Sequence, residues 1–243
     1  MADSLYLNRT NNTKQIFYIM EYEYTNIEQN PWKYKFDERF EYFISPISSN
    51  LIGKVDKIKP FLSHIMKVCY DASGGDGWLV YTNSDISVSY DFYDVLEKNC
   101  GFDALLFHKE KVLGIPKSYE DIISHKYPRE TELCGVDGFA IKSDKYYEGL
   151  IPDFLIGEPA WDIIVADIFE DKFNTNEIFG CLYEPYHKQN WKWDINDMSI
   201  HNIYMMAACP ELKNRHHNRI IKYGCDINKY KIDLENKIST QYS

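Results

Sequence analysis

The sequence of 243 residues lacks a long apolar run, and this absence excludes one class of protein. No stretch approaches the roughly 20 consecutive apolar residues that a membrane-spanning helix needs. The opening residues, Met-Ala-Asp-Ser, have neither the basic start nor the apolar stretch of a secretory signal peptide. We therefore expect a protein that has no membrane span and is located in the cytoplasm.

Positive charge is also scarce. The chain has 27 Lys and Arg residues against 37 Asp and Glu residues, which gives a formal net charge of −10. Proteins that bind nucleic acid mainly through its phosphates need a surplus of Lys and Arg on the binding surface. The charge balance therefore argues against nucleic acid as a partner.

The sequence has no C-x-x-C pair among its six cysteines, no internal repeat and no linker rich in Gly, Ser or Pro. Widely spaced cysteines argue against a structural zinc site or a disulfide framework. An apolar fraction of 44% is enough for one sizeable core. We expect residues 1–14 to be a disordered polar tail and residues 15–243 to form a single domain.

What the sequence does contain is an alternation of short apolar runs with amphipathic stretches. Apolar side chains at three- and four-residue spacing predict helices, and short continuous apolar runs predict buried strands. The predicted strands are Gln15–Tyr22, Tyr42–Ile47, Trp78–Thr82, Phe102–Phe107, Val136–Ile141 and Glu177–Tyr183, and the predicted helices are Lys57–Asp71, Ser89–Lys98, Ala160–Asp171 and one or two near the C-terminus. Residues 109–134 are charged and are expected to be a long surface excursion. The alternation predicts an α/β fold with a mixed, mainly parallel central sheet.

Ligands of such sheets bind outside the carboxyl ends of the strands, so the residues that follow each strand are the first to inspect. Asn83 and Asp85 follow the apolar run Trp78–Thr82. An amide and a carboxylate two positions apart lie on one face and are suitable ligands for a hard cation. The alternative is that both residues only form a turn and cap the next helix.

Two further segments contain chemically useful side chains. Glu158, Trp161 and Asp162 lie where a Gly- and Pro-containing loop enters a helix. Either acid can serve there as a general base beside a flat aromatic ring, or the acids can simply complement the helix dipole. His187, which follows another strand, can complete a metal shell or bind a phosphate, or it can be a structural histidine.

Four blocks, taken in this order, resemble the small GT-A-like glycosyltransferases, which use nucleotide-sugar donors and are built on a Rossmann-like sheet. The first block contains the run Trp-Leu-Val-Tyr-Thr-Asn-Ser-Asp-Ile, which is similar to the DxD-type motif of that family. The third contains Ile-Gly-Glu-Pro-Ala-Trp-Asp, which is similar to its acceptor-side motif. The blocks are the helix at Ile58–Ile65 with the run Trp78–Ile86, the strand pair Phe102–Phe107 and Gly135–Ile141, Pro152–Asp162, and Tyr186–Asn202. The likeness extends over roughly residues 55–205.

The resemblance implies a single-domain GT-A type sandwich that transfers a sugar from a nucleotide-sugar donor to a hydroxyl acceptor, which can be a glycan, a protein or a small molecule. It implies a divalent metal, Mn²⁺ or Mg²⁺, held by Asp85 and His187, and Asp162 as the catalytic base. The residues that it implies for substrate binding are Asn83, Glu158, Trp161, Tyr186 and Trp191.

One departure from the family pattern keeps a second function open. Asn83 stands where the first acid of the DxD-type motif is expected. An amide there weakens the case for tight metal binding. The alternative is a non-catalytic module that binds a nucleotide or a glycan on a degenerate GT-A fold.

Overall fold

The computed structural model describes residues 59–83, 86–114, 116–131, 136–158, 160–185, 202, 205 and 209–222, together with the backbone of 16–20 and 41–45. The described strands are β1 (Ile16–Met20), β2 (Glu41–Ser45), β3 (Trp78–Thr82), β4 (Ser87–Val88), β5 (Ala104–Val112), β6 (Arg129–Thr131), β7 (Gly138–Lys142) and β8 (Thr175–Pro185). The described helices are α1 (Leu62–Ser73), α2 (Phe92–Lys98), α3 (Tyr119–Ile123), α4 (Trp161–Lys172) and α5 (Pro210–Lys222), with a short 3₁₀ turn at Ser143–Lys145. The α/β class is confirmed.

The larger sheet has six described strands, in the order β3-β7-β5-β8-β4, with β6 added beside β5. Strands β3, β5 and β8 run in one direction, since β7 pairs antiparallel with both β3 and β5, and β5 pairs parallel with β8. The strands β1 and β2 form a separate parallel pair. Strand β3 therefore ends where β7 begins, level with Phe107, and β5 and β8 continue in the same direction beyond that place.

The prediction of a mixed sheet is confirmed, but the prediction that it is mainly parallel is wrong for the described strands. Four of the five described pairings in the larger sheet are antiparallel. A parallel neighbour needs a long crossover, usually a helix on one face of the sheet. The chain between β5 and β7 instead returns to the sheet as β6, so β7 enters in the opposite direction.

The sheet is covered on both faces. Alternate residues of β5 point to opposite sides: Ala104 and Leu106 lie in the core under α1 and α4, whereas Leu105 and Phe107 lie in the core under α2. This explains why the run is continuously apolar. The predicted apolar stripe of α4 is confirmed, because all its members are buried: Trp161, Ile164, Val165, Ile168 and Phe169.

Two element bounds differ from the prediction for identifiable reasons. Helix α1 begins at Leu62, not at Lys57, because the residue before Pro60 is restricted to extended backbone and Phe61 pairs with Leu155 as an isolated β-bridge. Strand β5 continues to Val112, so the predicted surface excursion is wrong over residues 109–112. Lys109 pairs with Asp137 and Glu184, and Glu110 pairs with Arg129 of β6.

The described residues bear on the predicted lack of a membrane span and of disulfide bonds. Among the described helices, none has the length and apolar character that crossing a bilayer requires. The four described cysteines, Cys69, Cys100, Cys181 and Cys209, are all free thiols.

Candidate functional site

Charged and amide side chains gather where β3 ends and β7 begins, beside the middle of β5. Asn83 follows β3 directly, and Asp137 directly precedes β7. Because Thr82 pairs with Gly138 in the antiparallel ladder, the next residues along are brought opposite each other. The backbone N–H of Asn83 donates to the carbonyl oxygen of Asp137 at 3.2 Å.

The carboxylate of Asp137 is held on both oxygens. The side-chain amide of Asn83 donates to its Oδ1 at 2.7 Å, and the Lys109 ammonium lies 2.8 Å from its Oδ2. The same ammonium lies 3.3 Å from Oε2 of Glu184 on β8. The side chains of Lys109, Asp137 and Glu184 are only 13–16% exposed, so this pairing takes place in a largely dry environment. We call Asn83, Lys109, Asp137 and Glu184 the acid–lysine clamp.

A glycine makes this close arrangement possible. A Cβ atom on Gly138 would lie 2.7 Å from Cδ1 of Leu182 and 3.1 Å from the carbonyl oxygen of Tyr81. Real Cβ atoms essentially never come as near as the first of these distances. Strand β7 can therefore lie this close to its neighbours only because position 138 has no side chain.

Asp162 lies in the first turn of α4, directly after Trp161. Burial and, to a smaller extent, the negative charge of Asp137 raise its pKa from the ordinary 3.8 to about 7. Backbone N–H groups of the helix start, including that of Ile163, and the charge of Lys109 act in the opposite direction but are smaller effects. A carboxyl group with this pKa exchanges protons readily at neutral pH.

Tyr81 connects the clamp to α4. Its hydroxyl donates to Oδ1 of Asn83 at 2.6 Å, and its ring lies edge-on to the Trp161 ring with 5.7 Å between centroids. Trp161 is only 5% exposed, so most of its ring packs in the core. Its role as a substrate-stacking surface stays a prediction. The side chain of Asn83 binds Tyr81 and Asp137, so it does more than form a turn or cap the next helix.

Glu158 takes part in a separate ion pair on the loop that leads to α4. The Lys59 ammonium lies 2.6 Å from its Oε1 and also donates to the carbonyl of Gly157 at 2.9 Å. Buried Asn202 holds the same loop, because its side chain accepts from the N–H of Leu155 at 2.8 Å and donates to its carbonyl at 3.0 Å. These contacts fix the loop from which α4 starts. The substrate-binding role of Glu158 stays a prediction.

The other predicted site residues, Asp85, Tyr186, His187 and Trp191, lie outside the described residues. Within the described ranges, no three His, Cys, Asp or Glu side chains form a group that could hold a metal ion. Asp137 and Glu184 share one cation, Lys109, which already engages an oxygen of each carboxylate. The described residues therefore do not by themselves fit a divalent metal, and the prediction of Mn²⁺ or Mg²⁺ rests on Asp85 and His187.

The clamp residues Lys109, Asp137 and Glu184 were not found from the sequence. Only residues that follow a strand were expected to have a function, and this rule is valid for parallel strands. Because β7 is antiparallel to β3, the residue before β7 lies opposite the residue after β3, and Lys109 lies within β5. A charged residue on either side of an apolar strand is the signal that would have found Asp137.

Comparisons with known proteins add little to this geometry. No family model matches the chain, and no curated protein does. Among solved structures, HddC from Yersinia pseudotuberculosis is matched at 11% identity and a TM-score of 0.34, over 74% of this chain and 72% of that one. A likeness this slight says nothing about the chemistry of this chain.

Proposed function

We propose that the protein is a glycosyltransferase that moves a sugar from a nucleotide-sugar donor to a hydroxyl acceptor, with Asp162 as the general base. The observation that carries the proposal is the position of Asp162 directly after Trp161, whose ring contacts Tyr81 near the end of β3, together with a carboxyl pKa raised to about 7. A general base works best when its pKa lies near the working pH. In open α/β sheets, ligands bind outside the carboxyl ends of the strands, and β3 ends beside this residue pair.

The proposed step uses Asp162 in its ionised form. Its carboxylate takes the proton from the acceptor hydroxyl as the acceptor oxygen bonds to the anomeric carbon of the donor sugar. The bond between that carbon and the diphosphate oxygen breaks, and its electron pair leaves with the nucleoside diphosphate. The divalent metal implied by the resemblance would neutralise charge on that leaving group.

The alternative is a module that binds a nucleotide or a glycan without catalysis. One observation favours it: the Asn83 side chain, at the position of an expected metal-binding acid, is hydrogen-bonded to Tyr81 and Asp137. The two functions differ in one measurable property. An enzyme consumes donor, at least slowly by transfer to water, and a binding module does not.

The test begins with a thermal-shift screen of the full chain against the five common nucleoside diphosphates and their sugars, each with and without Mn²⁺. A ligand at about a hundred times its dissociation constant adds about 2.7 kcal/mol to the free energy of unfolding. We expect a shift for one nucleotide base that is larger with metal.

The donor found in this way is then incubated with the protein, and release of its nucleoside diphosphate is measured by chromatography. The Asp103→Asn variant is the matched control, because Asp103 lies at the opposite end of β5 and pairs with Lys145. We expect the wild type and the Asp103→Asn variant both to release the nucleoside diphosphate. Saturable binding without release would favour the binding module, and a folded protein that binds no nucleotide would contradict the proposal.

A further inference from the structure

The direction of each hydrogen bond at the end of β3 follows from the chemistry of the groups. An amide oxygen can only accept a hydrogen bond, and an amide nitrogen can only donate one. The Tyr81 hydroxyl lies 2.6 Å from Oδ1 of Asn83, and Nδ2 of Asn83 lies 2.7 Å from Oδ1 of Asp137. Asn83 therefore accepts from Tyr81 and donates to Asp137. An ionised aspartate at position 83 would have no hydrogen to donate to Asp137.

An irregular stretch of β8 brings Glu184 within reach of Lys109. The register between β5 and β8 shifts by two residues after Phe107, and Lys109 then lies opposite Leu182. Glu184 thus lies two residues beyond that partner, on the same face of the sheet. In an unshifted register it would lie four residues beyond, about 13 Å along the strand and out of reach. Gly180 supplies the left-handed backbone of this stretch, with a φ of 74°, and bulges of this kind often re-aim side chains beside functional sites.

The Lys109 ammonium lies where a cation shared by two carboxylates would lie. It is 2.8 Å from Oδ2 of Asp137 and 3.3 Å from Oε2 of Glu184. Hard divalent cations bind mainly through carboxylate oxygens, and the oxygens that face this shared position are already bound to the ammonium. The other oxygen of Asp137 accepts from the Asn83 amide. The arrangement therefore fits an internal lysine and does not fit a divalent metal at the same position.

We propose that Lys109 is the built-in cation of the site at the end of β3, and that Asn83 is the positioning residue that keeps Asp137 bound to it. The amide at position 83 is then required by its two partners, and its departure from the DxD-type motif is not a sign of lost function. A divalent metal of this site would be bound without Asp137 and Glu184. The inference rests on the proposed function for its catalytic meaning, whereas the hydrogen-bond pattern and the metal ligands can be measured without any substrate.

The first experiment exchanges the amide and the carboxylate across their hydrogen bond. Asn83→Asp alone places two carboxylates side by side, and Asp137→Asn alone removes the charge that binds Lys109, so each should lower the urea midpoint of the full chain. The double variant Asn83→Asp/Asp137→Asn restores one donor and one acceptor, and the new amide oxygen at position 137 can accept from Lys109. We expect the double variant to recover most of the lost stability.

The matched control combines Asn83→Asp with Asp103→Asn at the other end of the sheet, where Asp103 pairs with Lys145. This control has the same net charge as the double variant but does not restore the hydrogen bond, so it should be no more stable than Asn83→Asp. If neither single variant folds, recovery of a folded chain in the double variant answers the question in the same way. A double variant that is no more stable than the control would overturn the inference.

The second experiment measures Mn²⁺ binding to the full chain by calorimetry, a property that a merely structural role of the clamp would not set. Asp137→Asn and Glu184→Gln should bind Mn²⁺ as the wild type does, and Asp103→Asn gives the size of any general charge effect. Equal affinities, or no binding by any of these proteins, support the inference. Loss of a group that serves a bound metal costs roughly 10–100-fold in affinity, and a loss of that size in either folded clamp variant would overturn it.

Donor binding in buffer that contains a chelator gives a separable readout. Two carboxylates and one ammonium leave one negative charge in the clamp, whereas Lys109→Met leaves two, which repel a diphosphate more strongly. We expect Lys109→Met to weaken binding of the donor several-fold and Lys145→Met to leave it unchanged. Rescue by the double variant in a protein that binds no donor would support the hydrogen-bond pattern and contradict the proposed function. Unchanged donor affinity in folded Lys109→Met would contradict the role of Lys109 as the cation of the site.

Discussion

The two ends of the central sheet carry the same pair of residue types in opposite surroundings. Just before β5 begins, the Lys145 ammonium lies 3.6 Å from Oδ1 of Asp103, and the side chains of Asp103 and Lys145 are 28% and 39% exposed. Where β3 ends, the Lys109 ammonium lies 2.8 Å from Oδ2 of Asp137, and the side chains of Asp137 and Lys109 are 15% and 13% exposed. Water screens the first pair, whereas the second lies in a drier place where charges act strongly on their neighbours.

The difference teaches where chemistry can occur in this fold. An aspartate and a lysine form a partly exposed pair at one end and a largely buried pair at the other. The local environment distinguishes them: a missing side chain at Gly138, a second carboxylate at Glu184 and the start of α4.

The largest effect should follow from replacing the proton-exchanging group itself. Asp162→Asn removes the proposed base, so turnover should fall by roughly 10²–10⁴-fold, the usual contribution of general acid–base catalysis. Donor affinity should stay nearly constant. Measured turnover and donor affinity together check this, and Asp103→Asn serves as the isosteric control. Loss of donor affinity would move Asp162 from catalysis to substrate binding.

The next effect is on stability as a function of pH. The pKa of Asp162 is about 7 in the folded chain against 3.8 when unperturbed, so between these values folding takes up a proton. The contribution of Asp162 to the free energy of unfolding therefore falls as pH rises from about 4 to about 7, and then stays level. The fall amounts to roughly 4 kcal/mol at 1.36 kcal/mol per pKa unit.

Urea unfolding at several pH values checks this, with Asp162→Asn as the reference. The difference in stability between the variant and the wild type should grow across that interval and be constant above it. A constant difference at all pH values would show that Asp162 ionises normally in the folded chain.

The comparison between the two ends is tested directly by removing each lysine. Lys109→Met leaves Asp137 and Glu184 without their shared cation in a mostly buried place, and we expect a loss of about 3 kcal/mol. Lys145→Met removes an exposed partner, and we expect a loss of no more than about 0.5 kcal/mol. Denaturant midpoints of the two variants provide the test, and equal losses would remove the distinction between the ends.

The smallest expected effect concerns two glycines. Gly138→Ala places a methyl group against Leu182 and the Tyr81 backbone, so overpacking should cost about 2 kcal/mol. At the other end, Gly101 has nothing within 4 Å of the position of a Cβ, and its alanine variant should be neutral or slightly stabilising. Thermal denaturation of both variants provides the measurement. A neutral Gly138→Ala would show that β7 can move away from its neighbours.

Much of the fold could be predicted from local patterns. Strand β3 has the predicted bounds, Trp78–Thr82, because an apolar run lies between Gly77 and Asn83. The apolar stripe of α4 was also predicted correctly. The extension of β5 was missed because Lys109 and Glu110 resemble surface residues, whereas Glu110 in fact pairs with Arg129 at 3.1 Å.

The site was predictable only in the parts that lie on one segment. The position of Asp162 at the start of a helix follows from the Gly- and Pro-containing loop before it. Asn83 and Asp137, by contrast, are 54 residues apart in the chain and come together only because β7 pairs antiparallel with β3. Strand direction is a property of the whole sheet and leaves no mark in the local sequence.

The hydrogen bonds from Asn202 to Leu155 have a consequence for the order of folding. They join residues that are 47 positions apart, and they hold the loop that leads to α4, the helix that contains Asp162. During synthesis the strands from β3 to β7 emerge from the ribosome well before residue 202, and such long-range contacts form late. Strands β3 to β7 can therefore pair before the loop that leads to α4 is held in place, and that loop is complete only when Asn202 has reached Leu155.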